Sequence, residues 1–339
     1  MCGSTNKDKR TVLFKRNSHL ERLLISLNDQ LSLVEGQSLA IRNDFGPDFP
    51  LIFIMGPLRS GTTLFTQWLA NTDFIAYPTN LLSRFYGAPA IGAQIQLLLT
   101  DQRFNFRDEL IEFNNRIAFD SENGKTRGVL SPNEFWYFWR RFLPFQDLDL
   151  DWLPDEELFE VVDKEMLNNE LTTLTRIFGK PFALKAMILN YNIHFLDAVF
   201  EKAVFVQIKR DPVTNVASIL EARKRQLGSE NEWYSFKIPE YPRLKNLDPI
   251  SQATGQVHYI NAAVTKGMAK VAEARKMTVN YEEFCQNPSR VFTELSQKLG
   301  LAGDDCKYSG PEQFRQTREA STVENKKLIE QSLAQFATL

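Results

Sequence analysis

Five apolar residues, Leu51 to Met55, run directly into Gly56-Pro57-Leu58-Arg59-Ser60-Gly61-Thr62-Thr63, after which Leu64 to Asn71 carries a helical pattern. A strand-length apolar run without polar alternation belongs in the middle of a sheet covered on both faces. When such a strand turns through two glycines into a helix, the N–H groups of the loop and of the first helical turn converge. The helix dipole adds partial positive charge at the same point. The product is a cradle for an oxyanion. Glycine permits close approach of the backbone, and the hydroxyls of Ser60, Thr62 and Thr63 add donors.

The GxxxxG spacing is that of a P-loop, but Thr62 stands where a nucleoside triphosphatase carries its lysine. Arg59 must then supply the positive charge. A guanidinium holds two phosphate oxygens through parallel hydrogen bonds, which suits a site without a magnesium bridge.

Three more strand-length apolar runs follow, Phe182 to Ile188, Val204 to Ile208 and Met277 to Tyr281, each leading into a helical pattern. This alternation predicts an α/β fold, a P-loop-like central parallel sheet with helices on both faces, whose ligands bind beyond the carboxyl ends of the strands. Ahead of the first strand, Leu20, Leu23, Leu24, Leu27, Leu31 and Val34 recur at helical spacing. They predict a helix over 17–35 within an N-terminal extension of residues 1–50. Residues 81–179 read as a mainly helical insertion, with Asp155 to Phe178 its clearest periodic stretch and an aromatic cluster from Phe135 to Phe145. In the absence of repeats, low-complexity tracts and linkers, residues 1–339 are read as one domain.

Composition excludes several classes. The chain of 339 residues is 43% hydrophobic, enough for a large core, and its net charge of -2 argues against a nucleic-acid binder or an anionic-membrane binder. Cys2, Cys285 and Cys306 match neither a disulfide framework nor a zinc motif, and His19, His194 and His258 are equally scattered, so no metal is expected. The polar N-terminus has no signal-peptide core, and no apolar stretch reaches membrane-span length. Cytoplasmic residence is expected.

A second anion grip follows the strand Val204 to Ile208. There Lys209-Arg210-Asp211-Pro212 opens a helix, with Asp211 as cap and Pro212 at its first position, and Ser218 lies eight residues beyond Arg210. Arginine at a strand end and serine two turns into the next helix suit a second phosphate. Two separate grips imply a doubly phosphorylated nucleotide.

RSGTT after a first strand, together with RDP and a serine eight residues after the arginine, resembles the two motifs with which sulfotransferases bind 3′-phosphoadenylyl sulfate (PAPS). The resemblance implies a 5′ site at Arg59, Ser60, Gly61, Thr62 and Thr63, and a 3′-phosphate site at Arg210 and Ser218. A third match, Val279-Asn280-Tyr281-Glu282-Glu283-Phe284 followed by Asn287-Pro288, looks like the family's late strand and turn. It implies that Tyr281 lies beside the adenine. Arg59 in place of the lysine of cytosolic aryl sulfotransferases makes the loop more similar to the tyrosylprotein-type and bacterial branches. The implied activity is transfer of a sulfuryl group from PAPS to a hydroxyl or amine of a small-molecule, sugar or peptide acceptor.

Sulfuryl transfer needs in-line geometry and cations at the leaving oxygen rather than a covalent intermediate. Arg59 and Lys185, which resembles the family lysine that ends the strand before RDP, are assigned there. The general base is less legible. Met187 stands where the aryl branch has histidine, and Ala76-Tyr77-Pro78-Thr79-Asn80 has no carboxylate where another branch carries its glutamate. Glu134, beside Phe135, Trp136 and Tyr137, is the candidate, with a pKa expected to be raised by desolvation; His194 or another residue stays open as the alternative. The surrounding aromatics suit an acceptor wall and core packing equally. The basic run Arg223-Lys224-Arg225 is read as structural, near a helix C-terminus. Two other functions share the strand–loop–helix unit: a P-loop small-molecule kinase and a non-catalytic nucleotide-binding module. Acceptor identity and oligomeric state are left open.

Overall fold

In the computed structural model, which describes residues 10–15, 17–41, 49–105, 119, 121–122, 125–301, 307–316 and 323–338, four strands form one parallel sheet. They are β1 (Leu51–Met55), β2 (Phe182–Lys185), β3 (Val204–Lys209) and β4 (Lys276–Asn280), in the order β2-β1-β3-β4. The register pairs Leu51 with Phe182 and Ile54 with Lys185 on one side of β1, and Ile52 with Val204 and Met55 with Gln207 on the other.

Alternation in β1 explains why it carries no polar residue. Leu51, Phe53 and Met55 pack into one core with Phe182, Leu184, Phe205 and Trp139, whereas Ile52 and Ile54 join Phe65, Trp68, Val206 and Phe284 in a second core on the opposite face. A strand buried on both faces must be apolar throughout. The chain leaves β1 for β2 on one side and returns to β3 on the other, so the order reverses between the carboxyl ends of β1 and β3. Such a switch point opens the crevice in which α/β sheets hold ligands.

Local boundaries depart from expectation in four places. β2 ends at Lys185 rather than at residue 188, because Met187–Leu189 turns into a 3-10 helix. An apolar run alone does not separate a strand from a buried helical turn. The periodic stretch 155–178 is two helices, Asp155–Val161 and Lys164–Phe178, the second capped where Asp163 accepts from the Met166 N–H. Tyr281 opens the helix Tyr281–Gln286 instead of closing β4, and the N-terminal helix runs on to Ile41. Among the described residues no helix is long and apolar enough to cross a membrane, and no cluster of metal-ligating side chains occurs. Cys2 and Cys306 lie outside the described residues, and Cys285 is buried and free.

Candidate functional site

The loop between β1 and the helix Thr62–Ala70 is shaped by three residues with positive φ: Gly56 at 134°, Arg59 at 63° and Gly61 at 102°. The two glycines are required for space as well as for φ. A Cβ on Gly56 would stand 2.6 Å from the Ile208 carbonyl oxygen, and one on Gly61 would stand 2.2 Å from Cδ2 of Tyr281. Two buried asparagines brace the loop. Asn190 exchanges two hydrogen bonds with the Gly56 backbone, each 2.9 Å, and Asn215 Nδ2 donates to the Leu58 carbonyl at 2.8 Å. Neither asparagine stands out in sequence, because each acts through a loop more than a hundred residues away.

Arg59 and Arg210 meet at the switch point. Arg210 Nη1 donates to the Arg59 carbonyl at 2.9 Å, and Arg59 Nε donates to Ser218 Oγ at 3.2 Å. The guanidinium of Arg210 also lies over the Tyr281 ring, 4.8 Å from its centroid, within cation–π range. Tyr281, Gly61, Arg210, Arg59 and Ser218 therefore form one continuous contact chain across the carboxyl ends of β1, β3 and β4. Asp211 caps the helix Pro212–Leu227 by accepting from Thr214 N at 2.8 Å, as its position before Pro212 predicts.

The hydroxyls of the loop differ in their engagement. Ser60 Oγ is buried and has no hydrogen-bond partner among the described residues. Thr62 turns its Oγ1 toward Met187 Sδ at 3.6 Å, and Thr63 Oγ1 accepts from Lys185 Nζ at 2.8 Å. An orphaned hydroxyl at the centre of an N–H-rich loop fits an anionic oxygen that would complete it.

Beside the loop, Lys185 Nζ also donates to Glu134 Oε1 at 3.0 Å, and Trp136 Nε1 donates to Glu134 Oε2. Lys185 is only 5% exposed, whereas the Glu134 side chain remains 33% exposed and so accessible to a substrate. Glu134 comes from the helical insertion. Residues 131–133 are stitched to 78–80, where Asn80 N donates to the Ser131 carbonyl, Asn133 N to the Pro78 carbonyl and Asn133 Nδ2 to Asn80 Oδ1. The segment Ala76–Asn80, which has no carboxylate of its own, thereby brings one in from the middle of the 81–179 stretch. Phe135, buried and stacked on Phe138, holds a φ of 56°, and such strain in a bulky residue persists only where packing enforces it.

The expectation of a raised Glu134 pKa is corrected. Burial does push it up, but the Lys185 ammonium, the Trp136 and Lys185 hydrogen bonds and the Arg59 charge outweigh burial and hold the carboxyl below its ordinary value. Lys185, expected only at a leaving oxygen, is engaged with Glu134 and Thr63 together. His194 is exposed and lies edge-on to Phe159, with ring centroids 6.0 Å apart. The aromatic run divides: Phe135, Phe138, Trp139 and Phe142 belong to the core, whereas Tyr137 is exposed and Trp136 is half-buried against Glu134. Arg223 is no surface charge complementing a helix end. It is buried, bonded to the Glu230 carbonyl at 3.1 Å and Gln252 Oε1 at 3.0 Å, and its pKa is pulled down to about 10 by burial.

A search of curated proteins finds no match to the chain. Two solved mycobacterial structures share its fold. The sulfotransferase STF9 from Mycobacterium avium is 15% identical with a TM-score of 0.53, covering 96% of this chain and 78% of its own. The sulfotransferase STF1 from Mycobacterium tuberculosis H37Rv is 14% identical with a TM-score of 0.53, covering 91% and 82%. The description "Sulfotransferase family" belongs to the family model that matches residues 50–305, a span from β1 through the Tyr281 turn, and the chain is therefore a member of the sulfotransferase family.

Proposed function

We propose that the protein transfers a sulfuryl group from PAPS to an acceptor hydroxyl or amine, with adenosine 3′,5′-bisphosphate as the second product. The observation that supports this reading is that Arg59 bonds Ser218 and Arg210 bonds the Arg59 carbonyl at the switch point, which suits two anion grips on one nucleotide. The loop N–H groups, Ser60, Gly61, Thr62, Thr63 and Arg59 would hold the 5′ side, and Arg210 and Ser218 the 3′-phosphate. The Tyr281 ring, packed on Gly61 and Arg210, would border the base.

When bound, PAPS supplies an activated sulfuryl group on a phosphate leaving group. The roles of the chain's own residues follow from their contacts. Glu134, ionised and one third exposed, accepts the proton of the attacking group. Lys185 orients that carboxylate while keeping a positive charge beside Thr63, at the mouth of the loop, where negative charge accumulates on the leaving oxygen. Arg59 adds a second cation at the same edge. A kinase is disfavoured because Thr62, in place of the triphosphatase lysine, directs its hydroxyl at a methionine sulfur. The scattered cysteines suit a reducing compartment, and we place the enzyme in the cytoplasm.

The test is a thermal-shift titration with adenosine 3′,5′-bisphosphate followed by a screen of acceptors with a sulfur-labelled donor. Binding raises the melting temperature with ligand excess over its dissociation constant. Absence of any shift, or transfer of phosphoryl rather than sulfuryl groups, defeats the reading.

A further inference from the structure

The N-terminal helix Ser18–Ile41 precedes the span matched to the family, and its inward face is not uniformly apolar. Leu24, Asn28 and Glu35 share that face at helical spacing, and Asn28 and Glu35 are only 2% and 1% exposed. Apolar residues would bury the same face at lower cost, because a carboxylate taken out of water must have its hydrogen bonds replaced. Both side chains are spent on the backbone of one segment. Asn28 Nδ2 donates to the Arg84 carbonyl at 2.8 Å, and Asn28 Oδ1 accepts from Gly87 N at 2.6 Å. Glu35 Oε1 accepts from Ala90 N at 2.6 Å and Oε2 from Ile91 N at 3.1 Å. Directional bonds of this kind fix one docking position, whereas apolar contact alone lets a helix slide.

The gripped segment is the one that frames Glu134. On one side of Glu134, Leu81 N donates to the Val129 carbonyl at 3.0 Å, Asn80 N to the Ser131 carbonyl at 2.9 Å and Asn133 N to the Pro78 carbonyl at 2.7 Å. Ser83 N and Arg84 N in turn bond the Thr79 and Leu81 carbonyls, which ties that stretch to the residues held by Asn28. On the other side, the helix Trp136–Phe142 leans on Tyr86. Arg141 Nη1 donates to the Tyr86 carbonyl at 2.8 Å, and the Tyr137 ring stacks on the Tyr86 ring with centroids 5.3 Å apart. The N-terminal helix also reaches this helix directly, where the Tyr137 hydroxyl donates to Glu21 Oε1 at 3.3 Å. Glu134 and Trp136 therefore lie between two supports that lead back to residues 84–91. The proposed phosphate grips are built from other elements, β1, β3 and the helices that follow them.

We infer that the N-terminal helix is a positioning element for the proposed base: through Asn28 and Glu35 it holds the frame that sets Glu134 against Lys185 and Trp136. The inference rests on the sulfuryl-transfer reading, in which Glu134 takes the acceptor proton. Asn28 and Glu35 act through the segment they grip, so both are positioning residues. Proton transfer requires hydrogen-bond reach, and a misplacement of about 1 Å costs about a hundredfold in rate.

The experiment uses the full chain, isotope-labelled at its five tryptophan indoles and saturated with adenosine 3′,5′-bisphosphate. The Trp136 indole N–H, which donates to Glu134, is identified by its loss in Trp136→Phe and reports the Glu134 contact directly. Asn28→Leu keeps the volume and removes the bonds, and Glu35→Gln sets an amide N–H against a backbone N–H. Both variants are expected to shift the Trp136 signal upfield, as a weakened bond to a carboxylate requires. Bisphosphate affinity by calorimetry is expected to stay within about twofold of wild type, as for sites that share no partner, and this also reports that the variants fold. In the labelled-donor assay kcat is expected to fall by about tenfold with the KM for PAPS unchanged. A helix that only adds stability would lower the melting temperature and leave the Trp136 signal in place. Wild type that binds no bisphosphate defeats the sulfuryl-transfer reading and this inference with it. With wild-type binding intact, an unmoved Trp136 signal in both variants, a raised KM with unchanged kcat, or loss of bisphosphate binding in both variants overturns the inference alone.

Discussion

Arg59 Nε donates to Ser218 Oγ at 3.2 Å, tying the cation of the phosphate loop to the helix that follows Arg210. The bond joins the two proposed anion grips directly. Ser218 is buried and Arg59 half-buried, so this contact fixes where the guanidinium points. Ser218→Ala is expected to weaken adenosine 3′,5′-bisphosphate binding by about tenfold, the usual loss for a hydrogen bond to a charged group. The melting temperature of the free protein should change little, because alanine suits a helix interior. Calorimetry and a melting curve check both halves.

The proposed role of Glu134 as base predicts the acid limb of the activity profile. A carboxylate must be ionised to accept a proton, so activity falls as pH drops through its pKa. Because Lys185, Trp136 and Arg59 hold that pKa below its ordinary value of 4.5, the limb should lie in the acid range below it. Trp136→Phe removes one stabilising hydrogen bond and is expected to move the limb upward, while Glu134→Gln should lower turnover by about 10²–10⁴-fold with nucleotide binding retained. The measurement is the pH dependence of kcat/KM for wild type and both variants.

Lys185→Met should lower turnover by about 10²–10³-fold, through loss of a cation near the leaving oxygen. It also leaves Glu134 with burial less opposed, so the residual activity should show an acid limb displaced upward. A limb that stays at its wild-type pH would separate Lys185 from Glu134 in solution.

Gly61→Ala is expected to abolish the bisphosphate-dependent thermal shift. The new methyl group would collide with the Tyr281 ring, and a φ of 102° is one that alanine avoids. Truncating the ring in a Gly61→Ala, Tyr281→Ala double variant relieves the collision but not the backbone, so binding should recover only in part.

His194→Ala should leave turnover and its pH profile unaltered. The imidazole is exposed and lies edge-on to Phe159, and among the described residues it makes no hydrogen bond to Lys185 or Glu134. A loss of more than about tenfold would reopen the choice of base.

The sequence alone determined what depends on neighbours in the chain. β1, the glycine-bearing loop and the capped start of the helix Pro212–Leu227 were legible because an unbroken apolar run, positive-φ glycines and an Asp-Pro cap each act within a few residues. The family motifs were legible for the same reason. Where the local signal is degenerate, boundaries shifted: apolar residues continue past Lys185 into a buried 3-10 turn, and helical periodicity runs through the break at Asp163. The tertiary structure alone decided which distant groups meet. Glu134 and Lys185 are 51 positions apart, and their contact at 3.0 Å, joined by the Trp136 hydrogen bond and the Arg59 charge, reverses the direction of the carboxyl's pKa, because burial, the largest single influence, is outweighed only by several groups brought together from distant parts of the chain.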